Sequence, residues 1–461
     1  MSYRNDFLLI ITALLLTLSL SESQSYIGVN YGIVADNLPP PEATARLLKS
    51  TTIGKVRLYG VDPAILRALA GTNISVVIGA ANGDIPSLAS DPSAARSWVA
   101  ANVLPYLPAT AISVVSVGNE VLSPGDDASL GPQLVPAMRN LQSALSAAAP
   151  SAGIKVSTVH SMAVLGSSEP PSAGTFRADI SSSLASVLGF LSQTGAPFMI
   201  NPYPYFAYQS DPRPETLAFC LFQPNPGRHD AGTGITYTNM FDAQVDAVKS
   251  ALKAAGFADA EIVVAETGWP YRGDSDEAGA TVENAKAFNG NLVAHLRSMA
   301  GTPLMPGRSI DTYIFALYDE DLKPGPSSER SFGLFQSDLT PTYDAGLAKT
   351  GSTQGNSTGA PSAARKPGAP AWCVPKAEAT EEELQANLDY ACGQQGVDCS
   401  PIQEGGACYL PNTVRSHATY AMNQLYQVTG RQARGCDFGK TADLTRDNPS
   451  YAKCVYSGAG S

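Results

Sequence analysis

The strongest constraint on the fold is an alternation that runs from residue 26 to residue 347. Eight short apolar runs recur: YIGVNYG (26–32), KVRLYG (55–60), SVVIGA (75–80), ISVVSVGNE (112–120), IKVSTVHS (154–161), FMINPYPYF (198–206), IVVAETGWP (262–270) and DTYIFALYDE (311–320). None shows the every-other-residue polarity of a half-exposed strand, so each reads as a parallel strand covered on both faces. Between them lie Ala- and Leu-rich stretches such as PEATARLLKS and FDAQVDAVKSALKAAG. The second spaces its apolar residues helically and stops at Gly256. Eight strand–helix units over about 320 residues predict an α/β fold of the (β/α)8 barrel type. An open doubly wound sheet competes with it, but no Gly-x-Gly-x-x-Gly turn follows the first run.

Such barrels build their sites where the strands end. Polar and aromatic residues gather there: Asn30, Tyr31, Arg57, Tyr59, Asn119, Glu120, His160, Asn201, Tyr203, Glu266, Asp319 and Glu320. Two of these are acids that directly follow strongly apolar runs. Glu266 ends the seventh run before Thr-Gly-Trp-Pro, and Glu120 ends the fourth. A pair of carboxyl groups flanking an anomeric carbon is what glycoside hydrolysis requires, one as proton donor and one as carboxylate. A separation of about 5–5.5 Å makes the second group a nucleophile, and roughly 6.5–9.5 Å admits a water between them. Asn119 is a candidate for bonding a sugar hydroxyl, and Trp269 for stacking on a sugar face. Tyr31, Tyr203, Phe206 and Tyr318 are further stacking candidates, with barrel packing the competing role. His160 is given no proton-transfer role. No metal and no cofactor is needed by this chemistry.

Charge narrows the partner. The formal net charge is −11, which argues against polyanion partners such as nucleic acid but not against a neutral polysaccharide. Arg4, the apolar run Phe7–Leu20 and the small polar stretch Ser21–Ser25 read as a secretory signal over residues 1–25. The apolar run is too short for a membrane helix, which needs roughly 20 residues. A secreted, extracellular or cell-wall monomer without a stable membrane anchor is expected.

Residues 350–371, TGSTQGNSTGAPSAARKPGAPA, are too poor in apolar side chains to form a core and read as a flexible linker. Asn356 in this segment, and Asn73 in the barrel, head glycosylation sequons. Six of the seven cysteines lie between Cys373 and Cys454, a dense even set that reads as a disulfide framework in residues 372–456. Fifteen pairings are open on spacing alone. Within this unit Thr380 with Glu383 forms a capping box, and TVRSHATYAMNQLYQVTG reads as a second helix. Residues 457–461 form a short tail. Cys220 stands apart as a buried thiol.

These motifs resemble two families. Residues 26–348 are similar to plant β-1,3-glucanases of glycoside hydrolase family 17 in GVNYG (28–32), NPYPYFAY (201–208), IVVAETGWP with Gly273, and YIFALYDEDLK followed by ERSFGLF. The resemblance implies a retaining barrel enzyme acting on β-1,3-glucan, with Glu266 as nucleophile, Glu120 as acid/base, and Glu320, Lys323 and Glu329 shaping the site. Tyr271 and Asp319 depart from the family pattern, where Ser and Asn are common. The tail unit resembles the X8 carbohydrate-binding domain, module family 43, in Trp372-Cys373, DYAC, GGACYLPN, HATYAMNQLYQ, GCDF and NPSYAKC. That resemblance implies the pairs Cys373–Cys436, Cys392–Cys399 and Cys408–Cys454, and binding to β-1,3-glucan, with Tyr409, Tyr420 and Tyr426 as stacking candidates. A catalytically silent glucan-binding wall protein and a β-glucan transglycosylase are the competing functions.

Overall fold

The computed structural model describes residues 26–349 except 126, and residues 371–456 except 377–378, 395, 430, 432, 446–448 and 451–453. The expected signal segment, most of the linker with Asn356, and the final tail lie outside the described residues.

Eight parallel strands close into a barrel: β1 Ile27–Asn30, β2 Lys55–Arg57, β3 Ser75–Ala80, β4 Ala111–Asn119, β5 Lys155–Ser161, β6 Phe198–Asn201, β7 Ile262–Thr267 and β8 Thr312–Ile314. They correspond one to one with the apolar runs, and each pairs with its sequence neighbours, β8 closing against β1. Closure leaves no free sheet edge. Inside the barrel, Val77, Val159, Met199, Val263, Ala265 and Tyr313 form a small core of their own. The other strand faces join the much larger core shared with the helices. This two-sided burial is why the runs carry no alternation.

The helices follow from their sequences. Helix α1, Pro41–Ser50, has Pro at its first turn and buries Leu47 and Leu48. Helix α2, Met240–Ala254, starts at Asn239, whose side chain accepts from the Asp242 amide. The chain turns away at Gly256 with a φ of 87°. Helix α3, Val282–Ser298, is capped by Thr281 and buries Phe288 and Leu292 in the large core, Phe288 against Trp269.

Three strand pairings of the barrel carry an extra residue, one between β3 and β4, where Val76 pairs with Ile112 but Val77 with Val114, and two near the strand ends that face the site. Between β4 and β5, Ser116 pairs with Ser157 but Asn119 with Val159. Between β7 and β8, Val264 pairs with Thr312 but Thr267 with Ile314. Each is a β-bulge, which re-aims side chains at the strand end. In the last, Ala265 and Glu266 together stand opposite the single residue Tyr313.

In the C-terminal segment, strands β9 (Trp372–Pro375) and β10 (Ala442–Thr445) pair antiparallel beside helices α4 (Glu381–Cys392) and α5 (Val414–Val428). The capping box of Thr380 and Glu383 opens α4. Disulfides join Cys373–Cys436, Cys392–Cys399 and Cys408–Cys454, the pairs the module resemblance implies. They supplement a core of few side chains around Leu384, Met422 and Tyr426. Cys220 is buried and unpaired in the barrel segment.

Candidate active site

Glu266 lies in β7, and the bulge there turns it inward, where strict alternation would send it to the helices. Glu120 follows β4 with a left-handed φ of 59°, a conformation that non-glycine residues adopt under constraint. Its amide donates to the Val159 carbonyl, so β5 holds it in place. The preceding bulge, with Gly118 at a φ of 68°, also turns Asn119 inward. Both carboxyl groups open into one cleft of about 840 Å3 at the carboxyl ends of the strands.

The two acids sit in different surroundings. Glu266 is buried and accepts from Arg57 Nη1 at 2.6 Å and from the Tyr203 hydroxyl at 3.0 Å. The same guanidinium reaches Asn119 Oδ1 through Nη2 at 2.7 Å, so one arginine aligns the ends of β4 and β7. Burial, and then the charge of Glu266, push the phenols of Tyr203 and Tyr59 well above their ordinary range. Both rings therefore stay protonated beside the carboxylate. Tyr59 also lies under the guanidinium, 4.5 Å from its ring centre. Glu120 meets a neutral donor, Asn201 Nδ2, at 2.7 Å. A cation and a phenol converge on Glu266, and an uncharged amide on Glu120.

The far wall comes from the segment after β8. Glu320 is buried and accepts from the Val34 amide at 3.0 Å. A side chain at Gly32 would overlap the Glu320 carboxylate, its Cβ falling 2.1 Å from the carboxyl carbon. Lys323 donates to Glu329 at 3.2 Å, stands 3.9 Å from Glu320, and lies over the Phe315 ring. Glu320, Lys323 and Glu329 thus line the cleft as one charged group.

The structure brings Asn119, Glu120, Tyr203, Phe206, Glu266, Glu320, Lys323 and Glu329 into this cleft. Phe206 is 45% exposed there, a free aromatic face. Three stacking candidates are corrected. Trp269 is fully buried, donates through Nε1 to the Gly279 carbonyl and packs against Tyr205 and Phe288, so it has no face for a sugar. Tyr31 and Tyr318 are 3% exposed and pack edge to face, with both hydroxyls on Thr44. His160 is buried against Phe198, and burial lowers its pKa to about 4, leaving it neutral.

Arg57, Tyr59 and Asn201 stand at strand ends in the sequence, where Arg57 is a candidate either for orienting a site carboxylate or for a structural pair. It is found on Glu266, whereas Tyr59 and Asn201 have no individual role assigned by the sequence. Their recurrence at neighbouring strand ends was the available signal. Ile33, Val34, Phe315 and Phe332 also line the cleft. These come from loops, where no periodicity marks the inward side.

Residues 27–346 match the family model described as glycosyl hydrolases family 17. The chain belongs to glycosyl hydrolase family 17. Residues 371–443 match the X8 domain model. The family 17 chain is 64% identical over 438 residues to glucan endo-1,3-beta-glucosidase 7 of Arabidopsis thaliana, covering 95% of this chain and 85% of that one. It is 55% identical to the glucan endo-1,3-beta-D-glucosidase of Olea europaea, covering 98% and 97%. Among solved structures, a β-1,3-glucanase and allergen of Cryptomeria japonica pollen superposes with a TM-score of 0.67 at 44% identity, covering 70% of this chain and 99% of that one.

Proposed function

We propose that this family 17 protein is a secreted, retaining endo-hydrolase of β-1,3-glucan. Glu120 protonates the departing glycosidic oxygen as a Glu266 oxygen attacks the anomeric carbon. A water, deprotonated by Glu120, then releases the sugar with its configuration kept. Arg57 and Tyr203 hold the attacking carboxylate in line, and Phe206 offers a ring to a bound glucose. The observation that carries the reading is the unlike pair of glutamates sharing one cleft in a family 17 barrel.

The X8 segment is the proposed glucan-binding module, tethered through residues 350–371 so that bound polymer stays near the cleft. Tyr420 and Tyr426 are buried and serve packing, whereas Tyr409 is half-buried and stacked on His417 near the surface. Secretion rests on residues 1–25 and the three disulfides. Asn73 is exposed, as a glycosylation acceptor must be.

The test is to incubate the purified chain with linear β-1,3-glucan and mixed-linkage glucan and to size the products. Short oligosaccharides from the linear polymer support the reading. No cleavage would defeat it, and products longer than the substrate would replace hydrolysis by transfer.

A further inference from the structure

The segment after β7 and the segment after β8 are stitched together along a seam outside the cleft. The Tyr271 hydroxyl donates to Asp319 Oδ2 at 2.5 Å, and Asp319 Oδ1 accepts from the Gly333 amide at 2.8 Å. The Tyr271 amide donates to the Ser331 carbonyl at 2.8 Å. Further along, Asp274 takes the amide and hydroxyl of Ser327, and Glu277 those of Ser328. Residues 331–333 are therefore gripped from both sides. Gly333 permits this, because a Cβ there would fall 2.6 Å from the Asp319 amide.

The residue at the centre of the grip is Phe332. It is buried, borders the cleft, and packs edge-on against Tyr203 and Phe315, with ring centres 6.1 and 5.1 Å apart. Tyr203 in turn donates to Glu266. A continuous set of contacts thus runs from the seam to the attacking carboxylate. Neither Tyr271 nor Asp319 is among the residues that border the cleft.

We infer that Tyr271 and Asp319 form a latch that seats Phe332 behind Tyr203 and thereby sets the aim of Glu266. They are positioning residues for the reaction, and the kinetic part of this inference rests on the proposed hydrolase activity. Both groups sit in surroundings that keep the hydroxyl a donor. Burial and the hydrogen bond to Asp319 push the Tyr271 phenol up to about 12, and burial also raises the Asp319 carboxyl.

The experiment compares the full chain with Tyr271→Phe, Asp319→Ala and Asp319→Asn. Turnover of linear β-1,3-glucan is measured alongside amide hydrogen exchange of the segment containing residues 331–336. A misaimed nucleophile lowers kcat, here by roughly tenfold in Asp319→Ala and Tyr271→Phe, with KM little changed. Asn keeps one oxygen for the Gly333 amide and places Nδ2 where it donates to the Tyr271 oxygen, so the link is kept with its direction reversed and Asp319→Asn recovers most of the kcat lost in Asp319→Ala. Exchange in the segment rises in Asp319→Ala and less in Asp319→Asn. Unchanged kcat, a loss confined to KM, or an Asn variant as slow as Ala overturns the latch. Tyr271→Phe removes one oxygen and keeps the test open if Asp319→Ala does not fold. Should the native chain release no sugar, the hydrolase reading fails by itself, and the exchange measurement still decides whether the latch exists.

Discussion

Arg57 on β2 donates to Glu266 on β7 across a gap of 2.6 Å, with only 1% of the arginine side chain exposed. Strands β1 and β8 stand between β7 and β2 in the sheet, so the contact crosses the mouth of the barrel. Arg57→Met leaves a buried carboxylate without its cation. Activity is expected to fall by on the order of 100-fold. Stability should fall by about 3–5 kcal/mol, because breaking one half of a buried pair strands the other. Urea melts and initial rates check both, and a variant as active as the native chain contradicts the proposed alignment.

The two glutamates should fail differently. In Glu120→Ala an aryl glycoside with a very good leaving group still forms the glycosyl-enzyme, and azide then resolves it to a β-glycosyl azide. Glu266→Gln should give no β-glycosyl azide while still binding glucan. Product analysis by NMR distinguishes them, and a β-glycosyl azide from the Gln variant would reverse the assigned roles.

Phe206 presents its ring at the cleft edge and supports little of the core. Phe206→Ala should raise KM for long oligosaccharides roughly 2- to 10-fold, the worth of one aromatic contact, with the melting temperature unchanged. Equal KM values across chain lengths would remove Phe206 from the binding face.

Acidity should stabilise the barrel segment. Burial pushes the Asp246 carboxyl up to about 7, against donors Tyr237, Thr302 and the Leu304 amide. Between pH 4 and 7 the folded chain keeps a proton that the unfolded chain has released, so stability declines as pH rises through that window. His295 acts in the same direction. Its own burial disfavours the charge, but Asp242, accepting at 2.9 Å, more than offsets this and raises its pKa. Its contribution is therefore present at acid pH and lost above its raised value. Melting temperatures of the native chain and Asp246→Asn across this range test the point. The variant should show the flatter decline, and parallel curves would refute the assignment.

Reduction should separate the two segments. The barrel contains one cysteine, Cys220, which is buried and unbridged, whereas the X8 segment depends on three disulfides. Losing a native disulfide from so small a unit removes about 2–5 kcal/mol. Mild reductant should abolish retention on insoluble glucan and spare turnover of a short soluble substrate. Retention that survives complete reduction would show that the module does not carry it.

The barrel was legible because burial on both faces writes itself into composition. All eight strands could be placed from apolar runs. The two acids were legible because each ends such a run. What could not be read was the direction of side chains beyond the strand ends. Trp269 follows Glu266 by three residues yet packs into the helical layer, and Tyr31 follows Asn30 yet turns toward Thr44. Strand periodicity stops at the loop, and tertiary packing decides the rest. Arg57 was legible as a candidate for orienting a carboxylate, but only the closing of the sheet decides that its partner is Glu266.

The two bulges near the site have a consequence for how this enzyme can be damaged. Each slips one additional unit into a strand, and Asn119 and Glu266 face the cleft only because of that surplus. Deleting a single residue from β7 would restore a regular ladder and rotate Glu266 out among the helices. Such a protein could gain in regularity, fold as well as before, and do no chemistry at all. Screens that score this barrel by its stability would pass over that kind of loss.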